Sequence, residues 1–268
     1  MKQPILNNVD TSSWEVPQYQ EITLGPKRHR YALVIPVINE GERIKEQLKK
    51  IHQASLPVDI IIADGGSEDG SLNNKLLMET NVRTLLVLKG LGKLSAQLRM
   101  AYCWILCQGY LGVVTIDGNG KDGIDGVSGM VNLLEQGYDY VQGSRYLAGG
   151  KAINTPLERT FANRFIHAPL LSMAGRHWFT DTTNGFRAYS ASYLINPKVK
   201  PFRDIFRRYE LLFYLTVRAG QVGMKIGHLP VKRSYPTGSF TPTKINSFFN
   251  KASVLKQTIA VAFGRYNP

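Results

Sequence analysis

The chain predicts an α/β protein built on a mostly parallel, doubly wound sheet with helices on both faces. Three observations predict it. Short runs rich in β-branched residues alternate with helically spaced segments over the first 145 residues, as βαβ units do. Acidic, glycine-containing turns follow three of those runs, where open α/β sheets bind their ligands. The length of 268 residues and the apolar share of 43% suit one full core.

Residues 1–30 show no clear period and read as an extended N-terminal arm. Tyr31-Ala-Leu-Val-Ile-Pro-Val37 is a continuous apolar run interrupted by proline, as expected of a buried parallel strand. Glu42 to His52 carries Ile44, Leu48 and Ile51 at helical spacing, and Val58 to Ala63 reads as a second buried strand. A helix near Ser71 to Met78, a strand at Thr84 to Leu88, a helix at Leu94 to Cys107 and a strand at Gly112 to Ile116 continue the alternation. A helix around Val127 to Gln136 then leads to a strand at Asp139 to Gln142. Beyond Gly150 the pattern changes to longer helices, Leu157 to Met173 and Tyr209 to Ala219, separated by a loop at Thr180 to Ser190. Lys244 to Phe263 places aromatic and aliphatic residues among lysines. That pattern suits an amphipathic helix on a membrane and, equally, a helix packed on its own domain.

Composition narrows the function classes. Lys and Arg number 33 against 20 Asp and Glu, a net charge of +13, and residues 196–268 hold 13 basic but 2 acidic residues. Such a field attracts polyanions: nucleic acid, an anionic membrane surface or diphosphate substrates. No aromatic-rich nucleic-acid recognition motif accompanies it, so no nucleic-acid partner is expected. No apolar run reaches the ~20 residues that span a bilayer, and the polar start MKQPILNNVDTSSWE lacks a signal-peptide core. A cytoplasmic location, peripheral on the membrane through the basic C-terminal region, is the expectation. Cys103 and Cys107, four apart on one helix, read as reduced core residues.

The chemistry concentrates at the strand ends. These are Pro36-Val-Ile-Asn-Glu40, Asp64-Gly-Gly-Ser-Glu-Asp-Gly-Ser71 and Asp117-Gly-Asn-Gly-Lys-Asp122. Glycines let the backbone approach a ligand, while carboxylates accept hydrogen bonds from a base or ribose or hold a hard cation on a diphosphate. With Gly143-Ser-Arg-Tyr146 and Asn184-Gly-Phe-Arg-Ala188, these motifs run in the order found in family 2 glycosyltransferases. Over residues 31–245 the chain resembles that family, above all its dolichyl-phosphate mannose synthase and polyprenyl-phosphate glycosyltransferase branch.

The resemblance implies a GT-A fold over residues 31–245, with a C-terminal helical and loop acceptor region, between the arm at 1–30 and a basic amphipathic tail at 246–268. It implies inverting transfer of a sugar from a nucleoside diphosphate sugar to a polyprenyl phosphate. Pro36, Asn39, Glu40, Asp64, Gly66, Asp69, Lys93, Asp117, Gly118, Asn119, Lys121, Arg187 and Arg233 would form the donor site, with Lys232 beside Arg233. Asp117, Asn119 and Asp122 would hold Mg2+ or Mn2+. Asn119 stands at the second position of the family's Asp-x-Asp motif and Lys121 where a side-chain oxygen often assists the metal, so a lysine facing the diphosphate, or an oxygen from Asp125, are alternatives. Arg145, Arg159, Asn163 and Lys151 would receive the acceptor, with Arg164 nearby. Asp117, Asp181 and Arg145 would carry the catalysis.

A phosphate monoester acceptor, second pKa ~6, needs no base. A glycan hydroxyl does, and Asp181, Asp122 and Glu210 are the candidates. A nucleotidyltransferase would also place carboxylates at these ends, but Pro36-Val-Ile-Asn-Glu40 is a poor match to its glycine-rich phosphate loop.

Overall fold

The computed structural model describes Leu6, residues 9–236 and residues 248–268. The expected strands and helices of the first half are present. They are β2 (Tyr31–Val37), α1 (Glu42–Ala54), β3 (Asp59–Asp64), α2 (Asn74–Glu79), β4 (Val82–Leu88), α3 (Leu94–Cys107), β5 (Gly112–Thr115), α4 (Gly126–Glu135) and β6 (Tyr140–Ser144). Strands β4, β3, β2 and β5 lie side by side and parallel.

Period-two alternation along these strands feeds two cores. Ala32, Val34, Ile61 and Ala63 face one side, beneath α3, whereas Leu33, Ile35, Ile60 and Ile62 face the other, beneath α1 and α4. Both faces are covered, so the strands read as unbroken apolar runs.

Four departures from the expected pattern bear on the site. Within the N-terminal arm, Tyr19–Thr23 forms β1, an antiparallel edge strand on β4. Its pairing is carried by backbone bonds, which leave little trace in side-chain pattern. The expected loop at Thr180 to Ser190 instead contains β8 (Arg187–Ser190), inserted antiparallel between β5 and β6. Here Phe186 and Ala188 enter one core and Tyr189 the other, while Arg187 interrupts the apolar pattern.

Three further strands are β9 (Ile226–Pro230), parallel to β6, and β7 (Lys151–Ile153) and β10 (Lys232–Ser234), which pair in a separate two-stranded sheet. The long helix at 157–173 is divided into α5 (Leu157–Ala162), a π-helical turn (Asn163–His167) and α6 (Ala168–Gly175).

A short α7 (Ala191–Leu194) precedes α8 (Glu210–Gln221), and α9 (Phe248–Ala262) packs with α6 and α8. Val261 is buried in the core and Thr258 bonds His167 at 3.0 Å, so this helix lies on its own domain. Lys244 and the start of the expected amphipathic stretch fall outside the described residues. Cys103 is half-buried as the helical spacing suggested, but Cys107 is exposed at the helix end, a correction to the reading of both as core.

Candidate active site

The three acidic turns share one edge of the sheet because β2 lies between β3 and β5. Val37 pairs with Asp64, and Gly118 packs against Pro36 and Val37, so the turns after β3 and β5 flank the end of β2. Hydrogen bonds then stitch them together. Asn39, at φ 49°, receives the Glu68 amide on its Oδ1 and donates its own amide to Ser67. Asp69 accepts from the Gly41 amide at 2.8 Å and from Ser71. Buried Asp64 accepts from the Ser67 amide and hydroxyl, with Gly66 in the turn at φ 90°. Glu40 pairs with Arg43 at 2.8 Å.

Two buried glutamines that the sequence reading missed hold the turns. Gln97 on α3 donates to both the Val37 and Ala63 carbonyls at 2.8 Å, clamping the ends of β2 and β3. Gln47 on α1 donates to the Asp117 carbonyl and accepts from the Gly120 amide, both at 2.9 Å. The available signal was an amide at Gln47 on the same helical face as Ile44, Leu48 and Ile51.

Asp117 and Asp122 converge on one guanidinium. Arg233 donates from Nη2 to Asp117 at 2.7 Å and from Nη1 to Asp122 at 2.5 Å, and the Asp117 amide donates to Asp122 at 3.0 Å. Backbone bonds of Ser234 to the Lys121 carbonyl and of Gly123 to the Lys232 carbonyl seat β10 against this turn. Loss of water raises the Asp117 carboxyl, but Arg233, then Lys121 and Arg187, outweigh it and bring it below its ordinary value. Asp122 is fully withdrawn from water, and burial holds its carboxyl above the ordinary value against Arg233.

Tyr235, also buried, is ringed by cations. The Lys121 ammonium stands 4.9 Å from its ring centroid, and the Arg159 and Arg233 guanidinium carbons each 5.7 Å. Arg159 also donates to its hydroxyl at 3.3 Å. Burial alone would raise the phenol; Arg233, Arg159 and Arg145 bring it below its ordinary value.

The second cluster is more enclosed than expected. Arg145 grips Asp181 with a two-pronged fork, Nε at 2.7 Å and Nη2 at 2.8 Å, and its amide adds a third bond. Asp181 is 0% exposed and its carboxylate is engaged by Arg145, so it does not stand free as the base that the sequence suggested. Asn163, also 0% exposed, donates to the Thr180 carbonyl and accepts from the Thr182 amide; it shapes the 180–186 loop rather than facing an acceptor.

Arg187, 1% exposed, donates to the carbonyls of Asn184, Thr182 and Leu212 and to Thr216, bonds that tie the loop to α8. That loop presses on the carboxylate turn, since a Cβ at Gly185 would lie 2.6 Å from Asp117 Oδ1. Glu210, the first residue of α8, accepts from the Arg207 and Arg208 amides of the turn that leads into the helix.

Lys93 is exposed at the start of α3, and no contact among the described residues joins it to the Asp117 cluster. Lys151, Arg164, Lys232 and Asp125 are exposed as well.

Comparison with known proteins agrees with this architecture. No family model matches the chain. In sequence it is 28% identical over 210 residues to a polyprenol monophosphomannose synthase of Mycolicibacterium smegmatis, covering 75% of this chain and 76% of that protein. It is 26% identical to an undecaprenyl-phosphate mannosyltransferase of Micrococcus luteus, covering 75% and 82%. The chain is a glycosyltransferase of the GT-A fold.

In structure the glycosyltransferase superposes on glucosyl-3-phosphoglycerate synthase from Mycobacterium tuberculosis, solved with Mn2+, UDP and phosphoglyceric acid. The TM-score is 0.59 at 16% identity, over 89% of this chain and 79% of that one. A further mycobacterial protein superposes at 0.62 with 16% identity, over 88% and 74%.

Divalent metal thus accompanies this fold in its Mn2+-bound neighbours. In the glycosyltransferase itself the expected ligands are engaged elsewhere: Asp117 and Asp122 by Arg233, and Asn119 Oδ1 by the Lys121 amide at 3.3 Å. Among the described residues no group of three or more His, Cys, Asp or Glu is placed to hold a metal ion. A guanidinium between two carboxylates, with an ammonium beside them, is not the oxygen shell that Mg2+ or Mn2+ takes. As arranged, these residues do not fit the ion.

Proposed function

We propose that this glycosyltransferase moves a sugar from a nucleoside diphosphate sugar onto a polyprenyl phosphate, with inversion at the anomeric carbon. The observation that carries the choice of acceptor is the state of the carboxylates. Asp181 is held by Arg145, Asp122 by Arg233, and Glu210 by the Arg207 and Arg208 amides just before α8. None of the three candidate bases faces outward to take a proton from a glycan hydroxyl. A phosphate monoester is largely ionised at neutral pH and attacks without one.

In the proposed reaction an acceptor phosphate oxygen forms a bond to the anomeric carbon as the bond from that carbon to the donor diphosphate breaks. The electron pair leaves with the nucleoside diphosphate. Pro36, Asn39, Glu40, Asp64, Gly66 and Asp69 would line the nucleoside side, since their turns are cross-linked into one wall. Arg145 and Arg159 would meet the acceptor phosphate, for which guanidinium forks are well matched. Lys121, Arg145, Arg159 and Arg233 outnumber the carboxylates of Asp117, Asp122 and Asp181 near Tyr235, an excess that favours anionic substrates.

A lipid acceptor also agrees with the surface beside this cluster. Leu157, Phe161 and Phe165 recur every four residues from α5 into the π-helical turn and are 86%, 60% and 63% exposed, with Met173 and Trp178 also exposed. Arg164 and Arg176 stand among them, a pattern suited to docking on an anionic bilayer surface. No helix among the described residues is long and apolar enough to cross a membrane, so the proposed association is peripheral.

The test supplies radiolabelled nucleotide sugars with a short polyprenyl phosphate. Label entering the organic phase is the expected result. Label that stays in water, or enters a glycan in its place, would overturn the acceptor assignment.

A further inference from the structure

The Asp117–Asp122 pair has a cation of its own, and it is part of the chain. Arg233 stands between the two carboxylates, bonded to each, on the turn where a divalent ion was expected. It is fixed there by more than attraction. β10 is seated through Ser234 on the Lys121 carbonyl and Lys232 on the Gly123 amide, and β10 in turn pairs with β7. Arg233 is 7% exposed and Lys121 8% exposed, and both face Tyr235.

The charges match those of a metal site. Two carboxylates with a divalent ion sum to zero, and so do two carboxylates with Arg233 and Lys121. Asn119, neutral where a second carboxylate was expected, fits the same balance. A guanidinium has five N–H donors, and Asp117 and Asp122 take one each. The fork therefore keeps donors for a phosphate oxygen, and Lys121 adds a point charge beside it.

From this geometry we infer that Arg233, with Lys121, neutralises the donor diphosphate in place of a divalent ion, so that donor binding proceeds without metal. The inference rests on the donor-site reading above and adds the identity of its cation. It predicts that the departing diphosphate is stabilised by preorganised side-chain donors whose placement is set by folding. It also explains why Asn119 and Lys121 stand where oxygen ligands were expected: neither is needed to complete a coordination shell.

The test is calorimetric titration of UDP, GDP and CDP, and of their nucleosides, into the full chain in EDTA and in excess Mn2+. At least one diphosphate is expected to bind in EDTA within about threefold of its affinity in Mn2+, a difference below 1 kcal/mol. Arg233→Ala should weaken that diphosphate at least about tenfold in EDTA while leaving the nucleoside unchanged; a merely structural role would weaken both.

Should Arg233→Ala fail to fold, Lys121→Ala carries the same comparison, since it leaves the Arg233 bonds to both carboxylates in place. Titration of Mn2+ followed by its paramagnetic resonance signal adds a readout free of turnover. Wild-type protein should leave the free-ion signal unchanged, whereas Arg233→Ala, with both carboxylates released, should reduce it. Diphosphate binding that appears only with Mn2+, or Mn2+ uptake by the wild type, overturns the inference and leaves the donor site standing. Absence of diphosphate binding in both buffers overturns the two together.

Discussion

Arg145 and Asp181 form an ion pair with almost no access to water, 5% and 0% exposed. Such a pair adds little net stability relative to apolar residues, but removing one partner strands the other charge. Arg145→Ala should therefore lower unfolding free energy by about 3–5 kcal/mol, measured by urea denaturation, whereas Arg145→Lys should keep part of the fold's stability and lose the fork.

His228 gives a pH prediction. Its Nε2 lies 2.9 Å from His177 Nε2, and burial, then the neighbouring His177, hold its pKa down at about 4. A histidine lowered in the fold stays neutral while the unfolded chain takes up a proton. Its contribution is whole above pH 6.5 and is lost as pH falls toward about 4. Because the ring is partly solvated, the loss should be on the order of 2 kcal/mol. Denaturant midpoints at pH 7 and pH 5 would show it, and His228→Gln should flatten the difference.

At the scale of elements, the acidic turns are held by amides borne on helices. Gln97→Leu removes the amide that bridges the Val37 and Ala63 carbonyls, Val37 keeping the Gly65 amide as donor, and should cost about 1–3 kcal/mol. It should also raise the KM for the nucleotide sugar more than it lowers kcat, a split that steady-state kinetics resolves. Gly185→Ala acts from the other side: its new Cβ would meet Asp117 Oδ1 at 2.6 Å, so transfer should fall at least about tenfold.

These elements also mark how far the sequence could be read. The βαβ half was legible because each strand is apolar on both faces and each helix keeps its period. β8 was not, since Arg187 interrupts the pattern and is satisfied only by four oxygen atoms that folding brings together. The carboxylate turns were legible from their glycines and acids. That Asp181 and Asn163 would turn inward was not, because their partners lie 17 to 36 residues away in the chain. Burial is a property of the assembled loop, and no local pattern encodes it.

For the whole molecule, α6, α8 and α9 pack on one another as a C-terminal helical layer. A Cβ at Gly220 of α8 would overlap the Gly175 carbonyl oxygen at the end of α6. Neither backbone can clear that overlap without moving its helix. Gly220→Ala should destabilise the protein by about 3 kcal/mol or more, seen as a lowered melting temperature. The apolar face at Leu157, Phe161 and Phe165 can be tested by flotation with anionic vesicles. Phe161→Ser with Phe165→Ser should reduce the bound fraction severalfold and leave the melting temperature within a few degrees, because both rings are already largely exposed.

Arg233 reaches Asp117 across 116 residues of chain. During synthesis on the ribosome, the turns after β2, β3 and β5 emerge long before the residue that balances their charge. A nascent chain halted before β10 would hold Asp117 and Asp122 with Lys121 but without the guanidinium that bonds both, a pocket one positive charge short and open to a free cation. Biosynthetic order thus leaves the pocket's electrostatic sign unsettled until the last quarter of the polypeptide arrives.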